Sequence, residues 1–331
     1  MFSLIVVAIT GERFGGFAPY VASVNDAGLV AFQAVLRDGS SGVFAGDGRE
    51  IEELVRRSLH AGVTSHPDVN GARDTTFYGD LPRGGQGAFL HRQGRLQILA
   101  DTHGAFAAIG PLGPTMNEAG AVAFRADTVD GASGVFAGDG TALKTVADIN
   151  GRWSRFHGLP VITGDDTVVF RADCEEGVQG IYAGRDGSIR TIAETGERFK
   201  SLGLFPSAND RGTVAFAATA RVGGAGVFTD DGGRIRRVTE TDGAFEAYRG
   251  AMITNGGAVV AIATPRGGNL GLFDGPDPDA DRILGLGDPL LDATVEDFAA
   301  NPVSVNACGQ VAIRTSLADG RQVILRADPV R

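Results

Sequence analysis

The chain has 331 residues, a net charge of −10, 50 glycines, two cysteines and five histidines. Its lysines and arginines form no cluster or stripe, and phosphate-backbone recognition depends on such clusters, so a nucleic-acid partner is not expected. No apolar run reaches the length that spans a membrane, so no membrane is expected either.

The first element is the apolar run Phe2–Ile9, followed by Thr10-Gly11-Glu12-Arg13-Phe14. It could be taken for a targeting segment, but it is short, has no basic flank and shows no small-residue cleavage site. It also matches an internal stretch, Ile189 to Phe199, which carries the same Thr-Gly-Glu-Arg-Phe string. It therefore reads as a strand, and the expected location is the cytoplasm.

Next comes Asn25-Asp26-Ala27-Gly28-Leu29-Val30-Ala31-Phe32. The pattern returns at Asn117–Phe124 and Asn209–Phe216, with eroded copies between and after. The copies end at Phe32, Phe77, Phe124, Phe170, Phe216, Ala261 and Ile313, at steps of 45, 47, 46, 46, 45 and 52 residues. Twelve residues after each end stands Phe44, Phe89, Phe136, Tyr182, Phe228, Phe273 or Leu325, in Gly-Val-Phe or a variant of it. Glycine- and aspartate-rich turns separate the two runs, and a third alternating run follows. A run before each motif completes four strands, a to d. A repeat of this length with short apolar runs is the signature of a propeller blade. The expected fold is all-β: one domain over residues 1–331, a seven-bladed β-propeller with four antiparallel strands per blade. The last unit lacks a fourth strand, and the first strand of the chain should supply it, leaving no open sheet edge. Cys174 and Cys308 then fall in blades four and seven, which are not neighbours. A disulfide between them is not expected, in keeping with a reducing compartment.

Irregular d–a loops are expected at 10–19, 57–68, 101–114, 148–160, 194–206, 240–250 and 285–302, gathered on the top face around the channel mouth. Ligand sites favour such places. Four histidines, His60, His66, His103 and His157, fall in these loops across blades two to four, and imidazole can act as a base near neutral pH. His103 and His157 are the expected catalytic groups, with Glu296 and Asp297 of the longest loop.

Strand b adds a second set. The residue after each motif end and the one two further on share a face of the strand, which pairs Arg125 with Asp127 and Arg171 with Asp173. Either these pairs orient a polar or acidic ligand, or they reflect inter-blade ion pairing or simple inheritance with the repeat. Arg314 holds the same place in the last unit. Phe14, Phe106, Trp153, Phe199, Phe245 and Phe298 recur with the repeat and read as packing. Tyr78, Phe156 and Tyr248 break it, and with Arg155 and Arg249 they are expected at the mouth, where His60 and His66 would also bind substrate. Asp277-Pro278-Asp279-Ala280-Asp281 alternates carboxylates like a calcium loop, but Arg282 stands where the loop needs glycine, so it reads as a solvated hairpin. No metal and no cofactor is expected.

The Asn-x-x-Gly-x-Val-Ala-Phe copies at 25–32, 117–124 and 209–216 resemble a bacterial family of tandem-repeat proteins that carries this motif. The resemblance covers nearly the whole chain and implies a propeller. Members look secreted and surface-anchored, whereas neither a signal nor an anchor is expected for this chain. The resemblance supplies no catalytic residues. Two functions remain open. One is a cofactor-independent cytoplasmic enzyme, a lyase, isomerase, cyclase or hydrolase, acting on a small molecule at the top of the channel. The other is a non-catalytic propeller that binds a metabolite, or a protein partner through its rim. The expected state is a monomer or weak oligomer.

Overall fold

A computed structural model describes residues 1–58, 61–241 and 243–330. It is a ring of seven antiparallel blades with four strands each, a seven-bladed β-propeller. Blade one illustrates the order from the axis outwards. The inner strand is Phe14–Gly16 with Ser23–Val24, followed by Val30–Leu36, Ser41–Gly46 and Ile51–Arg57. Blade seven consists of Ala293–Ala299, Val311–Leu317 and Gln322–Pro329, with Phe2–Ile9 as its outer strand. Phe2 pairs with Pro329 and Ile9 with Val323, so the two ends of the chain close one sheet. No described helix is long and apolar enough to cross a membrane.

Blades one, three, four and five are each built on a triad of rings. The repeated aromatic of the inner strand meets the motif phenylalanine and the Gly-Val-Phe ring. Phe14 is edge-on to Phe32 and Phe44, with centroids 5.8 and 5.1 Å apart. Phe199 repeats this with Phe216 and Phe228 at 5.7 and 5.0 Å. Edge-to-face pairs add about 0.5–1.5 kcal/mol beyond the area they bury. The packing reading of these aromatics therefore holds. The glycine of Gly-Val-Phe is dictated by the same rings. A Cβ on Gly42 would stand 2.6 Å from the Val55 carbonyl and 3.0 Å from the Phe44 ring.

The motif asparagine does more than cap its own turn. Asn25 Oδ1 accepts the amides of Ala27 and Leu29, while its Nδ2 donates to the Asn70 carbonyl in the next blade. Asn117, Asn209 and Asn306 likewise donate to the next blade's Thr163, Thr254 and Asn25 carbonyls. The residue after the asparagine reaches backwards. Asp26, Glu118 and Asp210 accept the amides of Ala307, Gly71 and Gly164 in the preceding blades. The motif thus staples the ring around the narrow end of the channel.

The d–a segments differ from the expected loops. Their first part is strand: Phe106–Ile109, Trp153–Phe156 and Phe199–Leu202 pair with the top of strand b. In every blade but the sixth the inner strand is then interrupted midway and resumes nearer the motif. Pro67, Pro114, Pro160 and Pro206 stand immediately before the resumed halves at Asp68, Thr115, Val161 and Ser207. Proline has no N–H to donate to the ladder, which accounts for a break there. The interruptions, more than the top loops, fill the channel.

Candidate functional site

The interruptions surround a cavity of about 690 Å³ in the channel mouth. Blade one contributes Tyr20, blade two His66, blade three Pro111 and Leu112, blade five Phe205 and blade seven Asn301; Tyr78 and Arg125 reach it from strand b. A second chamber of about 340 Å³ shares Pro111, Leu112, Arg125 and Phe205 with the first, and adds Arg155, Phe156, His157 and Leu204. The Gly110–Pro114 segment, which carries Pro111 and Leu112, stands between two adjoining chambers of one mouth. Leu112 takes a positive φ of 78° within it.

In the larger chamber His66 is fully buried, with its ring against Gly113, where a Cβ would come within 2.5 Å of the imidazole. Burial lowers its pKa to about 4, so it is neutral at physiological pH. Its Nε2 has no hydrogen-bond partner. The buried Tyr78 hydroxyl lies beside the Arg125 backbone short of hydrogen-bond geometry, and desolvation raises its pKa. Two residues beyond His66, Asp68 accepts the Met116 amide of blade three at 2.7 Å and lines the narrow throat below. Desolvation, opposed by its backbone hydrogen bonds, raises its pKa to about 7. Its signal in the sequence was positional: Ser23, Thr115, Ser207 and Ser304 hold the same place in other blades.

The smaller chamber holds a histidine–carboxylate pair. His157 Nε2 is 3.0 Å from Asp173 Oδ2, at ion-pair distance but without hydrogen-bond alignment. Desolvation and the Arg171 charge lower the His157 pKa against the pull of Asp173. A neutral imidazole turned to Asp173 through Nε2 keeps Nδ1 as its other, basic nitrogen. The Phe-Arg-Ala-Asp copies differ. In blade three Arg125 forks onto Asp127 at 2.8 and 2.6 Å. In blade four Asp173 faces His157, and Arg171, 4% exposed, leaves Nε and Nη1 without partners. The pairs lie within blades, so the inter-blade ion-pair reading does not hold for them.

The structure thus brings His66, Tyr78, Arg125, Arg155, Phe156 and His157 to one mouth, with Arg171 and Asp173 behind His157 and Asp127 behind Arg125. It does not bring the other candidates there. His103 is exposed, its Nε2 2.8 Å from the Gly84 carbonyl. Glu296 and Asp297 are exposed on the inner strand of blade seven, where Asp297 accepts Arg314 Nη1 at 2.7 Å. Arg314 is buried behind that pair. Tyr248 stacks on Phe245 and turns its hydroxyl to Thr239 and Glu240 of blade five, and neither it nor Arg249 lines either chamber. Local strand pairing places these side chains, and the repeat position did not reveal it. His60 lies outside the described residues. Tyr20, Leu112, Leu204, Phe205 and Asn301 were not singled out, because they lie in or beside the expected loops with nothing in the repeat to mark them. Asp277 Oδ1 accepts the Asp279 and Ala280 amides of its own hairpin.

A model described as that of a family of unknown function matches residues 8–235. No curated protein sequence matches the chain. Solved structures similar to it include an oligogalacturonate lyase from Vibrio parahaemolyticus, 11% identical with a TM-score of 0.59, over 99% of this chain and 98% of that one. Another is an oligogalacturonate lyase in complex with manganese, 10% identical with a TM-score of 0.58, over 100% and 98%. A prolyl endopeptidase, 8% identical with a TM-score of 0.58, is matched over 98% of this chain and 51% of its own. At these identities the likeness is one of fold.

Proposed function

Because this chain belongs to DUF7453, a family of unknown function, we propose its activity from the geometry of the mouth: it binds a small molecule in the two chambers and moves a proton on it. The observation that carries this is His157, 3.0 Å from Asp173 and on the wall of a chamber that adjoins the larger cavity. Lyase and isomerase reactions begin with a proton removed by a positioned base, and they need cationic groups for the charge that develops. Neutral His157 offers Nδ1 as that base, and Arg155 offers the charge. The reading needs no cofactor. It keeps the protein in the cytoplasm, where unpaired Cys174 and the exposed Cys308 suit a reducing compartment.

Binding without catalysis is the second reading. The observation in its favour is that, of His103, His157, Glu296 and Asp297, only His157 lines a chamber. Both are tested by incubating the protein with fractionated small-molecule extract of its host, following consumed masses and thermal shift in parallel. Turnover that falls about 10²–10⁴-fold in His157→Gln supports catalysis. A thermal shift without turnover supports binding alone. Neither turnover nor shift, in a protein that melts cooperatively, removes the small-molecule reading.

A further inference from the structure

The segment between the two chambers is anchored at its ends and bare between them. The Gly110 amide donates to the Arg125 carbonyl, and Arg125 Nη1 donates back to the Gly110 carbonyl, both at 3.0 Å. At the far end Thr115 Oγ1 donates to the Pro160 carbonyl at 2.8 Å and accepts the Ile162 amide at 3.1 Å. Between these anchors, residues 111–114 make no hydrogen bond to any described residue. Backbone held by no hydrogen bond belongs to the part of a protein that opens most readily.

Packing alone holds the segment where it is. On the side of blade four it lies on Gly158, where a Cβ would stand 2.8 Å from the Pro111 carbonyl and 3.2 Å from a Leu112 methyl. On the side of blade two Gly113 rests on the His66 ring, and Gly110 lies against the Tyr78 ring. This position leaves three things unfavourable. Leu112 keeps its positive φ, a conformation that a bulky side chain adopts only where its surroundings hold it. The same leucine is 39% exposed. Beside the segment, His66 Nε2 and the Tyr78 hydroxyl are buried without partners, whereas buried polar groups are nearly always paired. Lifting the segment relieves the leucine and opens both polar groups to water or to a ligand.

Resting on the small-molecule reading above, we propose that residues 110–114 form a strap with two positions. Lowered, it stands between the chambers and covers His66. Lifted, it joins them, so that one molecule lies against His66 and His157 together. Gly110 and Gly113 supply the backbone freedom for the change, and the bonds at Arg125 and Pro160 keep its ends in place.

The test uses no ligand. Diethyl pyrocarbonate acylates unprotonated imidazole, the form His66 takes at pH 7. Site-resolved mass spectrometry follows His66, with the exposed His103 as the reference in the same sample. In the folded wild type His66 is expected to react more slowly than His103, at a rate that sub-denaturing urea leaves unchanged, as local opening requires. Gly113→Ala drives a methyl group into the imidazole of the lowered state. It is expected to raise the His66 rate more than about tenfold, with His103 unchanged. Should Gly113→Ala fail to fold, Pro111→Gly removes the ring packed on Gly158, loosens the lifted strap and is still expected to speed His66. A His66 rate that climbs with urea in step with global unfolding overturns the strap. So does a rate that neither variant changes. A strap that lifts in a protein giving neither turnover nor thermal shift with host extract leaves the motion standing and removes the pocket reading.

Discussion

His66 and Asp68 stand two residues apart in blade two, both buried, and their titrations oppose each other. His66 titrates near 6.5 when unfolded and at about 4 when folded. The unfolded chain takes up that proton first, so stability falls as pH drops from 6.5 to 4. Asp68 titrates near 3.8 when unfolded and at about 7 when folded, with Glu118 adding to the rise. Here the folded state takes up the proton first, so stability grows as pH drops from 7 towards 4. Between pH 7 and 5 each contributes about 2 kcal/mol, with opposite sign. Urea midpoints at the two pH values are expected to rise on acidification in His66→Gln and fall in Asp68→Asn, the variants diverging by about 4 kcal/mol. Parallel behaviour of the two would show that these groups do not titrate apart. Neither shift was legible in the sequence, since each comes from packing between blades. His66 was recognisable as a mouth residue by its loop, whereas Asp68, the last residue of the same expected loop, carried no mark of its own.

At the scale of the element, the motif asparagine and the interrupted strand behave differently as signals. Asn209 Oδ1 accepts the Arg211 and Thr213 amides, and Nδ2 donates to the Thr254 carbonyl of blade six. Asn209→Ala leaves one buried and two part-buried partners unmet and is expected to cost about 2–3 kcal/mol in chemical denaturation. Asn209→Asp keeps the acceptor for the turn, loses the donor to blade six, and should fall between the two. Equality of Asn209→Asp with wild type would mean that the inter-blade bond contributes nothing. The turn was legible from Asn-x-x-Gly, with Gly212 at a positive φ of 78° as such a turn requires. The inter-blade bond was not, because nothing local says which carbonyl a free amide nitrogen will meet. The strand interruptions carried a signal, a proline at one place in four blades, but it read as the end of a loop. Pairing with strand b made the residues before it strand.

For the whole molecule, closure by Phe2–Ile9 makes the ring depend on its first strand. Deleting residues 1–9 removes the partner of Gln322–Pro329 and exposes an edge. The expected result is a lower, still single melting transition with earlier aggregation, read by calorimetry and light scattering. An unchanged melting temperature would mean that the outer strand of blade seven is dispensable. Val7 and Ala8 also pack with Val30, Phe32 and Phe44 of blade one, so the loss reaches past the strand's own blade.

What the sequence determined by itself was the ring: seven units, four strands each, and the exchange of the first strand into the last blade. Periodicity and turn chemistry act locally and repeat, so seven imperfect copies reinforce one another. What only the tertiary structure decided was the mouth. Its residues come from six interruptions and from strand b of neighbouring blades, and their contacts depend on how one blade meets the next. The two Phe-Arg-Ala-Asp copies show the limit. They are identical as sequence, yet Arg125 is closed and Arg171 open, because Asp127 turns to Arg125 whereas Asp173 faces His157, which stands just past the inner strand of its blade.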